Sequence, residues 1–198
     1  LLSPNEFQSL KDRVDIEFAP SSPEHFGISD NVRLRVHLKN VETLIVKVFE
    51  VNTLNYYLKH GTEISTDLAL DGLVTNHERT FEYQDAPQRR VARDFEFPEI
   101  ENRRGVWIVE LIGGSKSSRA LIRKGQLQLL SSTTSGGEAI TVLDEERKPA
   151  PGSAIWFGGR RYGCDEKGRT LIPFSNEPGK RTPVIETPGG FASLAHFQ

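Results

Sequence analysis

Hydrophobic and polar residues alternate along most of this chain, and few stretches repeat at the 3.6-residue period of a helix. The segment VRLRVHLK (32–39) sets the pattern. Val32, Leu34, Val36 and Leu38 share one face, while Arg33, Arg35, His37 and Lys39 share the other, as in a half-buried antiparallel strand. TLIVKVFEV (43–51) follows after a short turn at 40–42. RTFEY (79–83) and RDFEFPEI (93–100) alternate again, with Phe95 and Phe97 inward and Asp94 and Glu96 outward. GVWIVELIG (105–113) is apolar on both faces, which predicts a central strand, and GQLQLLS (125–131) returns to alternation. Upstream, DRVDIEFAP (12–20) reads as a short edge strand ended by Pro20 and Pro23. The stretch 52–78 has no clean period; Leu68, Leu70 and Leu73 suit a short helix or a long cross-over loop.

The composition then shifts. SSTTSGGEA (131–139) contains mostly small and polar residues and is expected to be a flexible joint. Beyond it, AITVLDE, SAIWFGG, RTLIPFS, TPVIET and FASLAHF form a second set of short strands. KPAPG, DEKG, NEPGK and PGG separate them as breakers. Short strands joined by Gly/Pro turns predict an all-β fold of two consecutive antiparallel β-sandwich domains. The expected division is an N-terminal segment with one edge strand (1–29), a larger sandwich (30–131) and a smaller one (132–198).

Composition narrows the function. Hydrophobic residues make up 36% and charged residues 26% of the 198, and the net charge is −2. That balance gives no reason to expect nucleic acid as a partner. The longest apolar runs are strand-sized, well short of the roughly 20 residues a membrane-spanning helix needs. Residue 1 is Leu, no secretory leader pattern opens the chain, and Met is absent; the sequence reads as an excerpt from a longer polypeptide. A single cysteine rules out an internal disulfide and a thiolate metal cluster.

That cysteine, Cys164, lies in YGCDEKG (162–168). An internal thioester needs a Gln three residues after its Cys, and Lys167 stands there with no carbonyl to offer. A nucleophilic thiolate needs a nearby cation or helix N-terminus, whereas Asp165 and Glu166 follow directly. A type I turn over 165–168 between two strands, closed by Gly168, accounts for the same residues. The histidines, His25, His37, His60, His77 and His196, show no chelating spacing; His60 and His77, in the same unassigned stretch, are the pair that folding could bring together. Asp144, Glu145 and Glu146 suit an exposed turn better than a Ca²⁺ loop. No G-x-S-x-G occurs, and GGSKSS (113–118) lacks the order of a phosphate loop and reads as a hairpin. Catalytic, cofactor-binding and metal residues are therefore expected to be none, and the chain is not expected to be an enzyme. Arg33, Arg35, His37 and Lys39 with Arg89, Arg90, Arg103 and Arg104 form either a positive patch for an anionic partner or a solvated sheet face. Trp107 is expected in the larger core and Trp156 at a contact with another domain.

Three stretches together resemble macroglobulin-like domains. LIVKVFEVNTLNYY is similar to their V-x-V-Y/F-x-V/I-N strand. RGVWIVELIGGSKSSRALIRKGQL is similar to their closing hairpin. ITVLDEERKPAPGSAIWFGGRRYGCDEKGRTLIPF resembles a turn-rich pattern shared with carboxypeptidase-regulatory-like and transthyretin-like sandwiches, except that Arg147 or Lys148 stands where Gly is usual. The resemblance implies tandem domains of a bacterial α2-macroglobulin-like protein, extracellular or in the cell envelope, acting as non-catalytic scaffold. Neighbouring domains of the same polypeptide are the implied partners. A carbohydrate- or adhesion-binding module is the alternative, motivated by Tyr56, Tyr57, Tyr83 and Trp156, whose rings suit a glycan or protein partner.

Overall fold

The structure, a computed structural model, describes residues 3–175 and 182–195. The NEPGK turn, the end of FASLAHF and His196 lie outside them. The chain forms two compact units, Leu1–Val51 with Ser65–Lys124, and Asn52–Ile64 with Gly125–Gln198. Among the described residues regular structure is mostly β, with two short helices and one 3-10 turn at Pro98–Ile100.

The first unit holds α1 (Pro4–Asp12), β1 (Asp15–Phe18), β2 (His25–Phe26), β3 (Arg33–Lys39) and β4 (Thr43–Glu50), then β5 (His77–Glu82), β6 (Arg90–Glu96), β7 (Gly105–Gly113) and β8 (Lys116–Lys124). A three-stranded sheet runs β1-β3-β6, and a five-stranded sheet runs β2-β8-β7-β4-β5. Alternation decides what fills the space between them. Leu34, Val36 and Leu38 from β3 and Phe95 from β6 meet Leu44, Val46 and Val48 from β4 and Trp107, Val109 and Leu111 from β7. Each such buried side chain contributes about 1.5–3 kcal/mol, so this interior dominates the unit's stability. β7 is central in its sheet, as its two apolar faces predict. The 1–29 segment contributes more than one strand. β1 forms the edge beside β3, β2 lies parallel to β8 in the other sheet, and α1 precedes both. GGSKSS is a β7–β8 hairpin closed by the Gly113–Lys116 pair.

The second unit holds α2 (Thr53–His60), β9 (Gln128–Thr134), β10 (Gly137–Leu143), β11 (Ala154–Phe157), β12 (Arg160–Gly163), β13 (Arg169–Ile172), β14 (Val184–Glu186) and β15 (Ala192–Leu194). Its sheets run β13-β10-β9 and β12-β11-β14-β15. Leu129, Ile140, Val142, Ile155, Ile172, Ile185 and Phe191 fill the space between them.

Two expectations are corrected. First, 131–139 is no flexible joint. SSTT completes β9, and Thr134 pairs with Gly137 across a two-residue turn, so the small residues serve a tight hairpin. Secondly, the helix in 52–78 spans Thr53–His60, not the leucines at 68–73, which lie in turns. Asn52 caps it by accepting a hydrogen bond from the Asn55 N–H, and Gly61 ends it in the left-handed conformation. This helix packs on β14 and β15, and the Thr53 Oγ1 accepts from the Ala192 N–H at 2.8 Å. The following loop belongs to the first unit, where Arg119 donates to the Thr66 and Leu68 carbonyls. The turn at 165–168 lies between two strands as expected, with the Gly168 N–H donating to the Asp165 carbonyl at 3.0 Å and Gly168 left-handed, and the strands it joins, β12 and β13, lie in different sheets.

Two turns of the second unit share one hydrogen-bond design. Asp144 Oδ1 accepts from the Glu146 and Lys148 N–H groups, and Asp165 Oδ1 from those of Lys167 and Arg169. Each turn is closed by a backbone bond across it, Asp144 N to Lys148 O and Asp165 N to Arg169 O. The fourth residue is left-handed in both: Arg147 at φ 60° and Gly168 at φ 67°. The sequence departure at Arg147 is thus a non-glycine residue in a conformation that glycine adopts more easily.

Candidate interaction surface

The basic stripe of β3 is consumed by neighbours. Arg33 and Arg35 both donate to the Asp94 carboxylate, at 2.6 and 2.8 Å. The Arg35 hydrogen bond, with Arg33 beside it, holds the Asp94 pKa down at about 2. His37 stands between Glu17 and Ala92 in the sheet, and Arg90 pairs with Glu17 at 2.5 Å. Lys39 Nζ donates to the carbonyls of Leu10 and Arg13 at 2.5 and 2.9 Å, closing the C-terminal end of α1, where a cation is favoured. Arg103 pairs with Glu50 at 2.8 Å. Exposed ion pairs contribute only about 0–1 kcal/mol each, but together they leave a charge mosaic in place of a positive patch.

The candidate reactive groups are each held by local contacts. Cys164 packs against the second core, its backbone N–H donates to the Ser153 carbonyl at 2.8 Å, and burial raises its thiol pKa, with Asp165 adding to the rise. His60 stacks on Tyr56 with ring centres 4.6 Å apart, whereas His77 stands on β5 opposite Val48. Glu145 accepts from the Gln126 N–H and Glu146 pairs with Lys148. Among the described residues, no group of three His, Cys, Asp or Glu side chains is placed to hold a metal.

Each of the four rings of the glycan alternative is engaged by a neighbour within its own unit. Tyr57 is buried in α2 and meets Tyr56 edge-on. Tyr83, in the first unit, lies under the Arg93 guanidinium, 3.8 Å from its ring centre. The Trp156 Nε1 donates to Glu186 at 2.8 Å, and Arg161 binds the same carboxylate at 3.0 Å. Burial works against the charge of Glu186, but these two donors outweigh it and lower its pKa. A buried polar group that sequence patterning missed is Lys124, fully enclosed, whose Nζ donates to the Asp30 carbonyl at 2.7 Å. Burial lowers its pKa; in sequence it ends KSSRALIRK beside Arg119 and Arg123, and nothing there singles it out from the other cations.

The surface that stands out lies on the second unit. Leu130, Leu171 and Phe174 are 61%, 48% and 58% exposed. The Leu130 and Leu171 side chains lie on the outer face of the β13-β10-β9 sheet, since Leu129 and Ile172 point to the core. On the inner side, the sheet extends past its cover to leave an open cleft of about 360 Å³, lined by Ser131, Thr133, Glu138, Ile140, Phe157, Ile172 and Pro183. β9 itself is an edge strand, QLLSSTT, without one charged residue. The other edges are guarded: β1, β5, β6, β12 and β13 carry charges, β2 has two residues, and β15 is capped by Thr53. Charges and short length are the usual protection of sheet edges. β9 has neither.

The sandwiches are macroglobulin-like and immunoglobulin-like. The NIE–MG1 fragment of native α2-macroglobulin from Escherichia coli matches with a TM-score of 0.51 at 14% identity, covering 92% of this chain and 96% of that one. The MG0–NIE–MG1 fragment of the same protein gives 0.52 at 13% identity, covering 91% and 63%. In sequence, residues 44–125 match the family model of the AbpF first immunoglobulin-like domain. Actin-binding protein F of Dictyostelium discoideum is 37% identical over 195 residues, 96% of this chain, and the chain spans 8% of that protein's length. No helix among the described residues is long and apolar enough to cross a membrane.

Proposed function

We propose that this chain is a non-catalytic pair of immunoglobulin-like modules of a long multidomain protein, spacing its neighbours and offering them faces to bind. One observation carries the reading: its polar chemistry is spent on turns and surface ion pairs, while an unprotected strand edge with apolar flanks is left open. Replacing residues 1–198 in the parent protein by an unrelated immunoglobulin-like pair of equal length tests it. A pure spacer is restored by the replacement; an interaction module loses the neighbours cross-linked to it in the native protein. Detectable turnover of any substrate by the isolated chain, abolished by a single substitution, would refute both.

The extracellular or envelope location rests on the likeness of fold. The 37% identity to an actin-binding protein favours, as a second reading, a module of a large actin-associated protein. Co-sedimentation of the chain with filamentous actin decides whether these residues themselves carry such a contact: pelleting with saturation supports it, and a chain left in the supernatant assigns it elsewhere in the parent.

A further inference from the structure

We propose that the free edge of β9 receives an extended segment of a partner protein as an added strand. The register states which groups are available. The Val142 N–H donates to the Gly168 carbonyl at 2.8 Å, on the β13 side of β10. Even-numbered β10 residues therefore bond toward β13 and odd-numbered ones toward β9. Their partners on β9 are Gln128, Leu130, Ser132 and Thr134. The N–H and C=O groups of Leu129, Ser131 and Thr133 thus point outward along the free edge, and no hydrogen bond among the described residues engages them.

The chemistry of the occupant follows from what flanks this row. Backbone groups in strand register select another strand. No charge on β9 repels one. The side chains of Ser131 and Thr133 are small and stand at the mouth of the cleft, so inward apolar residues of an added strand sit beside them without a clash and extend its apolar lining. Glu138 sits at the same end, accepts from the Thr133 hydroxyl at 2.7 Å, and has no ion pair among the described residues. The complementary segment is about six residues long, apolar at alternate positions, with one Lys or Arg placed to meet Glu138. A second copy of this chain fits less well, because it would present its own Ser131 and Thr133 to an apolar cleft.

The inference rests on the module reading, but its test is separate from the domain replacement. A fluorescein-labelled peptide, Thr-Val-Thr-Val-Thr-Lys-Thr, is titrated into the whole chain by anisotropy. Ser131→Pro is the informative variant: the Ser131 N–H points outward, so proline keeps the β10 ladder while blocking an added strand. Binding at least tenfold weaker to Ser131→Pro, with unchanged circular dichroism and melting, is expected. Amide shifts at Leu129, Ser131 and Thr133 should accompany binding to the native chain. Thr133→Lys, which opposes the peptide's lysine and keeps the backbone intact, decides the matter if the proline variant unfolds. Equal binding to the variant that folds, or no binding to the native chain, overturns the proposal. So does a concentration-dependent dimer abolished by either variant, which would make the occupant a second copy.

Discussion

Arg147 and Gly168 occupy equivalent positions in twin turns, and substitutions there should act in opposite directions. A left-handed conformation costs a non-glycine residue about 1–2 kcal/mol. The Arg147 side chain is exposed and makes no hydrogen bond among the described residues, so Arg147→Gly removes strain without losing a contact. Glycine's extra freedom in the unfolded chain returns about 0.5–1 kcal/mol of that gain. The net expectation is stabilisation by about 0.5–1 kcal/mol, raising the melting temperature by about 1–4 °C for a chain of this size. Gly168→Ala meets the same backbone penalty, and its new Cβ would stand 2.9 Å from the Val142 carbonyl oxygen and 3.0 Å from the Ala150 nitrogen. Close approach to backbone adds to the strain, and a loss of about 2–3 kcal/mol follows. Urea unfolding followed by circular dichroism and by tryptophan fluorescence measures both, with Arg147→Ala separating the effect of charge from that of backbone. A neutral or destabilising Arg147→Gly, or a neutral Gly168→Ala, would refute the reasoning.

The remaining predictions probe the ion pairs, the thiol and the capped strand. Asp94 has its pKa lowered from 3.8 to about 2 in the fold; the stability it adds is present above the ordinary carboxylate range and is lost as pH falls toward about 2. The urea midpoint of the native chain should exceed that of Asp94→Asn at neutral pH, and the gap should close near the lower value. Cys164, with its pKa raised by burial, should react with iodoacetamide more slowly than free cysteine at neutral pH by mass spectrometry; labelling faster than free cysteine would contradict the reading of its surroundings. Thr53→Val keeps the volume but strands the Ala192 N–H, and should destabilise by about 1–3 kcal/mol in urea titrations.

Strands with one wet face were legible because period-two alternation is written residue by residue, as in 32–39. The central position of β7 could be read from its two apolar faces. The helices were not legible by periodicity, since eight or nine residues give barely two turns. Local chemistry held the missing signal for α1: Ser3 and Glu6 form a reciprocal capping box with Pro4 at the first helical position. Gly136 and Gly137 between two β-prone runs likewise suit a hairpin as well as a joint, and composition alone cannot separate them. The ion pairs across the β3 stripe were hidden because Asp94 is 59 positions from Arg35. The open edge escaped notice for a related reason: which strands are outermost is a property of sheet order, and no short stretch of sequence records it.

The path of the backbone limits how this pair can be handled and inherited. Because Asn52–Ile64 belongs to the second unit while both of its flanks belong to the first, the polypeptide passes between them three times. Cleaving after Lys124 would yield a front half carrying a helix with nothing to lie on and a back half whose last strand has lost its cover. Ordinary immunoglobulin-like arrays can be cut and rejoined like beads at each link. Here the sequences of the two beads are interleaved, so duplication or transfer to another protein has to move both at once.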